Sequence, residues 1–260
     1  MDKEQKRKLA HRVINIYQVE MGQLKQKSEL VTKAPQETEP VGKSQPKIKV
    51  QNENVLIRIQ KIPDKVKTGV MSFADPLVAG GNFQKGVDAQ EQSLCRNTFL
   101  YPELKKFKRK YYYYNAKHPD DYYYEPRLIY SSRVKVLGNG QQPELLTHFK
   151  YVDIVSVAAP DQKKMFHAGI QPDKQKLAAN IREKILWTLR EFKEYQVKVV
   201  LLGGFGCGEF RNDPRQVAEI FHEVLQRKEF LGAFDEVYFD ILNDEPVSNE
   251  FRSVFEHKVI

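Results

Sequence analysis

The chain has 260 residues, a formal net charge of +8 and a hydrophobic content of 41%. These values allow one substantial core plus extensions, and favour an anionic partner: nucleotide, nucleic acid, acidic polymer or acidic membrane surface. The charged N-terminus lacks the apolar run of a signal peptide and no stretch approaches about 20 apolar residues, so we expect a cytoplasmic or nuclear protein without membrane association. The two cysteines, Cys95 and Cys207, give no support to a disulfide scaffold or a zinc module, and no cluster has metal-ligand spacing.

The first fifty residues are predicted to form an extension in front of a main domain at residues 51–260. The stretch Lys25–Pro46 has few large apolar residues and is interpreted as a mobile linker. Residues 1–50 hold 11 Lys and Arg against 6 Asp and Glu, so five of the eight surplus positive charges lie there. Spacings of three and four between apolar residues predict an amphipathic helix that docks on the main domain through Leu9, Val13, Ile14, Tyr17, Met21 and Leu24.

Strand-like runs and helical patterns alternate through the main domain. Apolar residues repeat every three to four positions across Asp173–Tyr195, which predicts a long helix, and Asp213 followed by Pro214 predicts the start of another. Apolar strands covered on both faces indicate a three-layer α/β/α fold with a mixed sheet. The predicted strands are Val55–Ile59, Gly69–Phe73, Tyr151–Ala158, Lys198–Leu202 and Val237–Leu242.

The segment Lys105–Tyr124 departs from this alternation, because it joins a basic cluster to two clusters of tyrosines. Basic side chains among aromatic rings are typical of surfaces that stack on bases and neutralise phosphates, so nucleic acid is one candidate partner. An inserted loop or hairpin whose tyrosines pack against the domain is the favoured interpretation, because aromatic side chains mostly serve burial.

Two glycine-bearing loops each follow a predicted strand, and ligands gather at the carboxyl ends of strands in open α/β sheets. The first runs from Val70 to Arg96 and the second from Leu201 to Pro214. Glycines let the backbone approach a ligand closely and present N–H groups to phosphate. The second loop lacks the Gly-Lys-Ser/Thr ending of a Walker A loop, and no acidic residue closes a following strand as in a dinucleotide-binding fingerprint.

Both loops contain residues that resemble the microbial-type poly(ADP-ribose) glycohydrolases. The run Ala79-Gly80-Gly81-Asn82, followed after a spacer by Gln90-Glu91-Gln92, is similar to that family's three glycines and Gln-Glu-Glu triplet. The run Gly206–Pro214 is similar to the family's diphosphate loop. The resemblance extends from Ile57 to Phe255 and implies a macrodomain fold that binds ADP-ribose across the top of the sheet.

The resemblance also implies roles for individual residues. Gly80, Gly81 and Phe83 are expected to shape the ribose pocket, and Glu91 to hold a ribose hydroxyl. Backbone N–H groups of the second loop are expected to face the diphosphate, with Phe210 against the terminal ribose. No cofactor or metal is implied. The complete set of implied ligand-binding residues is Gly80, Gly81, Asn82, Phe83, Gln90, Gly204, Phe205, Gly206, Cys207, Gly208 and Phe210.

Three residues of the first loop depart from the family pattern, and one departure changes the chemistry. The family's general acid is the second Glu of the triplet, which protonates the departing ribose oxygen, whereas this chain has Gln92. An amide has no proton to release near neutral pH. Asn82 replaces the third glycine, and Val78 stands where the family usually has Asn. Natural divergence and a substitution introduced to trap substrate would both place Gln here.

Three functions are compatible with these residues. The leading hypothesis is an ADP-ribose-binding protein that recognises ADP-ribosylated proteins or polymers and has lost or reduced hydrolase activity. The second is an active ADP-ribosyl glycohydrolase that uses Glu91 or another acid. The third is an RNA- or polymer-binding protein that uses residues 105–124. A nucleophile and base formed by Cys207 with His118, His148 or His167 has no support from their spacing.

Overall fold

The computed structural model describes residues 1–256, and its centre is a mixed sheet of seven strands. These are β1 (Lys27–Val31), β2 (Lys47–Gln51), β3 (Thr68–Phe73), β4 (Leu128–Val136), β5 (Lys150–Val157), β6 (Val199–Leu202) and β7 (Glu236–Asp240). Their order across the sheet is β1-β4-β5-β3-β6-β7-β2. β4 is antiparallel to both of its neighbours, and the other neighbouring pairs are parallel.

Helices cover both faces of this sheet and confirm the predicted three-layer α/β/α fold. They are α1 (Lys3–Glu20), α2 (Val55–Lys61), α3 (Gln90–Asn97), α4 (Leu100–Lys105), α5 (Tyr114–Lys117), α6 (Gln162–His167), α7 (Lys174–Glu194), α8 (Pro214–Leu225) and α9 (Glu245–Phe255). One apolar core lies between the sheet and α7, α8 and α9, and a second lies between the sheet and α1 to α4. Among the described residues, no helix has the length and apolar character required to cross a bilayer.

The long predicted helix and its successor are confirmed, and so is the predicted N-cap of the successor, Asp213. The Asp173 carboxylate accepts from the backbone N–H groups of Gln175 and Lys176 at 2.8 and 3.0 Å, and α7 starts there. The Asp213 carboxylate accepts from the Gln216 N–H at 2.9 Å, with Pro214 in the first turn of α8. An oxygen-bearing cap satisfies N–H groups that have no partner inside the helix, so the local sequence determines these boundaries.

One predicted strand is wrong. Val55–Ile59 lies in α2 rather than in a strand. Asn54 caps this helix by accepting from the Leu56 N–H at 2.8 Å, and Val55, Leu56 and Ile59 are its buried residues. A short apolar run fits a strand or one face of a helix equally well, and the cap decides between them here.

The predicted mobile linker is also wrong for part of its length. Lys27–Val31 forms β1 at one edge of the sheet, and Lys47–Gln51, just beyond the predicted linker, forms β2 at the other. Between them, the Glu37 carboxylate pairs with Arg190 at 3.1 Å and with Arg227 at 2.8 Å. Edge strands bury little side-chain surface and are often rich in lysine, which explains why their apolar signal is weak.

The N-terminal helix docks on the main domain as predicted. Leu9, Ala10 and Val13 are buried in the same core as α3. The Lys6 ammonium pairs with Asp88 at 2.7 Å. Met21 lies beyond the helix and is 61% exposed, so it does not belong to the docking face.

Within the segment 105–124, residues 108–117 are helical rather than a hairpin, and residues 118–124 form a turn and irregular chain. Lys108–Tyr113 forms a π-helical turn that leads into α5. The prediction that tyrosines of this segment pack against the domain is confirmed for the buried side chains of Tyr111, Tyr112, Tyr123 and Tyr124.

The buried Lys184 side chain of α7 contacts this segment, and its titration leads to a prediction on stability. Its Nζ donates to the Tyr123 carbonyl at 2.8 Å, and burial lowers the pKa of Lys184 to about 7. An unfolded lysine titrates at about 10.4, so between these values the unfolded chain holds a proton that the folded chain lacks. The contribution of Lys184 to the unfolding free energy therefore rises with pH by about 1.4 kcal/mol per pH unit above pH 7.

Lys184→Met is expected to remove this slope. Urea denaturation between pH 7 and pH 9 should show the wild-type chain gaining stability relative to Lys184→Met as pH rises. Lys174→Met changes an exposed lysine of the same helix and is expected to keep the wild-type slope. Parallel curves for the wild-type chain and Lys184→Met would contradict the prediction.

Candidate functional site

The two glycine-bearing loops meet at one edge of the sheet. β3 and β6 are neighbouring parallel strands, so loop 1 (residues 74–89) and loop 2 (residues 203–213) leave the sheet side by side. The ring of Phe73 at the end of β3 lies 5.9 Å from that of Phe205 in loop 2, measured between centroids. β5 is parallel to β3 on its other side, so the chain after Val157 reaches the same edge.

Loop 1 passes through three consecutive residues in the left-handed region. Gly80, Gly81 and Asn82 have φ of 70°, 54° and 62°. Asparagine is among the non-glycine residues that tolerate this conformation best, so the departure at Asn82 keeps the backbone path of a glycine. The Asp75 carboxylate supports the approach to this turn by accepting from the N–H groups of Leu77 and Val78 at 2.7 and 2.9 Å.

Gln90 holds the start of α3 against the end of β3. Its Oε1 accepts from the Phe73 N–H at 2.9 Å, and its Nε2 donates to the Met71 carbonyl at 2.8 Å. Both ends of this amide are therefore engaged by the protein backbone, and they fix the position from which the next two side chains reach into the site.

Glu91 is a buried carboxyl group. Its Oε2 accepts from the Asp75 N–H at 2.9 Å, while its Oε1 has no hydrogen-bond partner among the described residues. Burial raises the pKa of Glu91 well above its ordinary value, because transfer out of water disfavours the charged form, although the Asp75 N–H opposes this shift. The neutral form of this carboxyl group is therefore favoured more than in an exposed glutamate.

The Gln92 amide is buried next to the same turn. Its Nε2 donates to the Gly81 carbonyl at 3.0 Å, and its Oε1 has no partner among residues 1–256. A Cβ on Gly81 would lie 1.9 Å from the Gln92 Nε2 and 3.1 Å from the Glu91 Oε2. The Gln92 and Glu91 side chains therefore converge on Gly81, which must lack a side chain to admit both.

Phe83 lies beneath the turn rather than on its surface. It is 1% exposed, and its ring centroid is 4.7 Å from that of Tyr101. A Cβ on Gly80 would lie 3.0 Å from the Phe83 ring and 3.1 Å from the Cys95 Sγ, so the backbone rests directly on this packing. The buried Phe83 ring therefore packs directly against the backbone of the turn.

Tyrosines of the segment 105–124 stand beside Glu91, which the sequence did not indicate. The Tyr111 hydroxyl accepts from the Ala158 N–H at 3.1 Å, just beyond β5. The Tyr112 hydroxyl is buried without a partner in the described chain, and burial followed by the charge of Glu91 raises the pKa of Tyr112 well above its ordinary value. Asn115 Nδ2 donates to the Pro76 carbonyl in loop 1 at 3.0 Å.

Loop 2 folds around Gly206 and Asn212. The Asn212 Nδ2 donates to the Pro160 carbonyl at 2.9 Å and to the Gly206 carbonyl at 3.2 Å. Gly206 has φ of 72°, and a Cβ there would lie 2.3 Å from the Asn212 Nδ2. Asn212 was not among the predicted site residues, since a lone Asn in a polar loop carries no distinctive sequence signal.

The backbone N–H groups of residues 204–208 in loop 2 divide into two sets. Those of Phe205 and Cys207 donate to the carbonyls of Gly203 and Gly204 at 2.9 and 3.0 Å. Those of Gly204, Gly206 and Gly208 donate to no protein acceptor within residues 1–256. Unengaged N–H groups in a glycine-rich turn after a strand suit an anion such as phosphate. Phe210 lies half-buried at the end of the same loop.

The Cys207 thiol is expected to be unreactive. Burial raises the pKa of Cys207 to about 12, and the thiolate is the nucleophilic form. Intact-mass measurement after treatment with a maleimide at pH 7 should show slow labelling in the folded chain and rapid labelling after denaturation. Rapid labelling of folded protein at Cys207 would contradict this and would reopen a nucleophilic role.

No metal centre is formed here, because no group of three or more His, Cys, Asp or Glu in residues 1–256 is arranged to hold a metal ion. The site instead offers the buried carboxyl group of Glu91, the amide of Gln92 and backbone N–H groups without protein acceptors. Hydrogen-bonding groups of these kinds suit a ligand that carries both hydroxyl and phosphate groups.

Comparisons with known proteins agree with the resemblance. The family model for "Microbial-type PARG, catalytic domain" matches residues 3–139, more than half of the chain. No curated protein sequence matches. Poly(ADP-ribose) glycohydrolase from Thermomonospora curvata is similar in structure, with a TM-score of 0.86 and 22% identity over 96% of this chain and 99% of that one. The enzyme from Deinococcus radiodurans, solved in complex with ADP-ribose, has a TM-score of 0.78 and 27% identity over 90% and 95%. The chain therefore belongs to the microbial-type PARG family.

Proposed function

We propose that the chain binds ADP-ribose, free or attached to protein or polymer, at the edge formed by loops 1 and 2, and that its glycohydrolase activity is lost or reduced. The observation that carries the proposal is the Gln92 amide, which donates from Nε2 to the Gly81 carbonyl where loops 1 and 2 leave the sheet side by side. An amide can mimic the hydrogen bond of a protonated carboxylic acid, but it cannot transfer the proton.

ADP-ribose binding can remain when catalysis is lost, because different groups of the site are responsible for each. The N–H groups of Gly204, Gly206 and Gly208 and the turn at Gly81 bind groups that are the same in the substrate and in the transition state. Loss of general-acid catalysis removes an effect of about 10²- to 10⁴-fold on rate without removing those contacts. The related Deinococcus radiodurans enzyme was solved with ADP-ribose bound, which supports the same ligand class here.

Calorimetric titration with ADP-ribose tests the binding. We expect a dissociation constant below millimolar, with AMP binding more weakly because it lacks the second phosphate and the distal ribose. No detectable binding of ADP-ribose at millimolar concentration would reject the proposed function.

A second candidate, a slow glycohydrolase that uses Glu91, is favoured by one observation. Burial raises the pKa of Glu91 well above its ordinary value, and its carboxyl group reaches the same glycine as Gln92. If this candidate is correct, the wild-type chain releases ADP-ribose from polymer and Glu91→Gln abolishes that release. A wild-type chain without measurable release rejects it.

The RNA-binding alternative loses four of the tyrosines of the segment 105–124 on which it rested. The side chains of Tyr111, Tyr112, Tyr123 and Tyr124 are buried and cannot stack on bases. Tyr113 is the large exposed aromatic of this segment.

A further inference from the structure

A cavity of about 590 Å³ lies at the edge of the sheet opposite loops 1 and 2. Thr68 and Lys150, the first residues of β3 and β5, line it, whereas loop 1 leaves from the other end of β3. Its lining residues fall within the ranges 59–68, 133 and 148–153. The cavity is therefore separate from the proposed ADP-ribose site.

The wall of this cavity carries more positive than negative charge. Its carboxylates are those of Asp64 and Asp153, and its lysines and arginine are Lys65, Lys67, Arg133 and Lys150. Lys150 pairs with Asp64 at 3.1 Å. Lys67 pairs with Asp153 at 3.2 Å. The other two cations, Lys65 and Arg133, are exposed, and neither has an acidic oxygen within 4.0 Å among residues 1–256. Unpaired cations in a concave surface attract anions.

Arg133 lies in a strained backbone conformation. It belongs to a bulge of β4, where the register with β5 shifts between Ser131 and Val134, and its φ is 54°. The buried Asp153 carboxylate holds this conformation by accepting from the Arg133 N–H at 2.8 Å. A bulge redirects a side chain, and strained non-glycine residues are concentrated at functional sites. The strain therefore favours a functional role for the Arg133 side chain.

Tyr151 supplies an aromatic surface beside Arg133. Its side chain is 48% exposed, and the Arg133 Cζ lies 5.2 Å from its ring centroid. An exposed ring next to a guanidinium can stack on a base while the cation neutralises the adjoining phosphate. Because Tyr151 is the second residue of β5, the sheet holds this ring in place.

Positive charge continues on both sides of the cavity. On one side, Lys27 of β1 lies opposite Ser132, the neighbour of Arg133, in the register of β1 and β4. On the other side, a second cavity of about 520 Å³ shares part of the wall at residues 62–66 and is lined by Lys47. Within the described chain, neither Lys27 nor Lys47 has an acidic oxygen within 4.0 Å. Charges on both sides favour an extended strand over a single free nucleotide.

We propose that this edge of the sheet binds single-stranded nucleic acid, at a second site independent of loops 1 and 2. Tyr151 stacks on a base, and Arg133 and Lys65 contact the phosphates beside it. Lys27 and Lys47 contact phosphates further along the strand. The two sites lie at opposite edges of the sheet, so ADP-ribose and the strand can be bound at the same time.

Fluorescence anisotropy with a labelled single-stranded RNA of about 12 nucleotides tests the inference. Lys65→Glu/Arg133→Glu is expected to weaken binding about tenfold or more and to reduce its dependence on salt, because fewer phosphate contacts release fewer counterions. Tyr151→Ala is expected to weaken binding about fivefold or more with an unchanged salt dependence. The matched control, Lys108→Glu/Arg109→Glu, makes the same charge change at exposed residues of the segment 105–124 and should stay within about twofold of the wild-type affinity.

Arg133→Gly distinguishes a role in binding from a role in folding. Glycine adopts a φ of 54° without strain, so the melting temperature of this variant should not fall below that of the wild-type chain. Its affinity for RNA is nevertheless expected to fall about threefold or more, since the guanidinium is removed. A lower melting temperature with unchanged RNA affinity would show that Arg133 is structural and would overturn its assignment.

Addition of saturating ADP-ribose is expected to leave RNA bound. Displacement of RNA by ADP-ribose, an equal loss of affinity in the control, or unchanged affinity in both Lys65→Glu/Arg133→Glu and Tyr151→Ala overturns the second site. No RNA binding by the wild-type chain overturns it as well. Failure of the wild-type chain to bind ADP-ribose rejects the proposed function instead and does not bear on this site.

Discussion

Gln92→Glu is expected to raise the rate at which ADP-ribose is released from polymer by about 10²- to 10⁴-fold over the wild-type chain. The new side chain would occupy the place of an amide that donates to the Gly81 carbonyl at 3.0 Å. Only a protonated carboxylic acid can make the same bond, since an ionised carboxylate would face a carbonyl oxygen with no hydrogen between them.

The surroundings of residue 92 favour that protonated form. Gln92 is 8% exposed, and the buried Glu91 reaches the same glycine. Two carboxyl groups that share a desolvated site cannot both ionise easily, so the pKa of the introduced Glu should be raised. The general acid must be protonated to act. The hydrolysis rate of Gln92→Glu should therefore fall as pH rises through the pKa of the introduced Glu.

Polymer hydrolysis followed by chromatography of released ADP-ribose provides the measurement. Gln84→Glu is the matched control, because it adds the same carboxylate to loop 1 at a side chain that makes no hydrogen bond in the described chain. It is expected to leave the wild-type rate unchanged. Equal rates for the wild-type chain and Gln92→Glu would show that Gln92 does not limit catalysis and would favour Glu91 as the acid.

Local sequence signals predicted four of the seven strands, β3, β5, β6 and β7. Enough information to define an element is carried by the apolar periodicity of α7, by the N-cap Asp213 of α8 and by the apolar runs of β3 and β6. The edge strands β1 and β2 and the inner strand β4 were missed. The burial of β1 depends on pairing with β4, a strand distant in sequence.

The site was predicted less completely than the fold. Gly80, Gly81 and the Gln90-Glu91-Gln92 run are close in sequence, and their resemblance to a family motif identified them. The Tyr111 contact with Ala158 and the Asn212 contacts with loop 2 arise only when the chain is folded. A tyrosine-rich segment has no periodicity that distinguishes a ring against the core from a ring beside a carboxyl group.

The second large effect is expected at Gly206. In Gly206→Ala the new Cβ would lie 2.3 Å from the Asn212 Nδ2 and 2.6 Å from the Ala159 Cβ, at a φ of 72°. Asn212 would have to move, and its bonds to the Pro160 and Gly206 carbonyls would be lost. We expect the unfolding free energy to fall by about 2 to 3 kcal/mol.

Gly206→Ala is also expected to weaken ADP-ribose binding. The turn that it changes carries the backbone N–H groups of Gly204, Gly206 and Gly208, which have no protein acceptor. A hydrogen bond to a charged group contributes about 1.5 to 3 kcal/mol, so displacing one such N–H from a diphosphate weakens binding about tenfold or more. Thermal unfolding and calorimetric titration of the same preparation measure both effects.

Two further glycine variants distinguish backbone strain from the clash with Asn212 as the cause of the lost stability. Gly169→Ala has a comparable φ of 70° and no heavy atom within 4 Å of the new Cβ, so it measures the cost of backbone strain without a clash and should not change ADP-ribose affinity. Gly208→Ala adds a Cβ in open space without a positive φ and is expected to fold with wild-type stability. If Gly206→Ala loses no more stability than Gly169→Ala, the contact with Asn212 does not hold loop 2. If it keeps wild-type affinity, the N–H groups of this turn are not the diphosphate ligands.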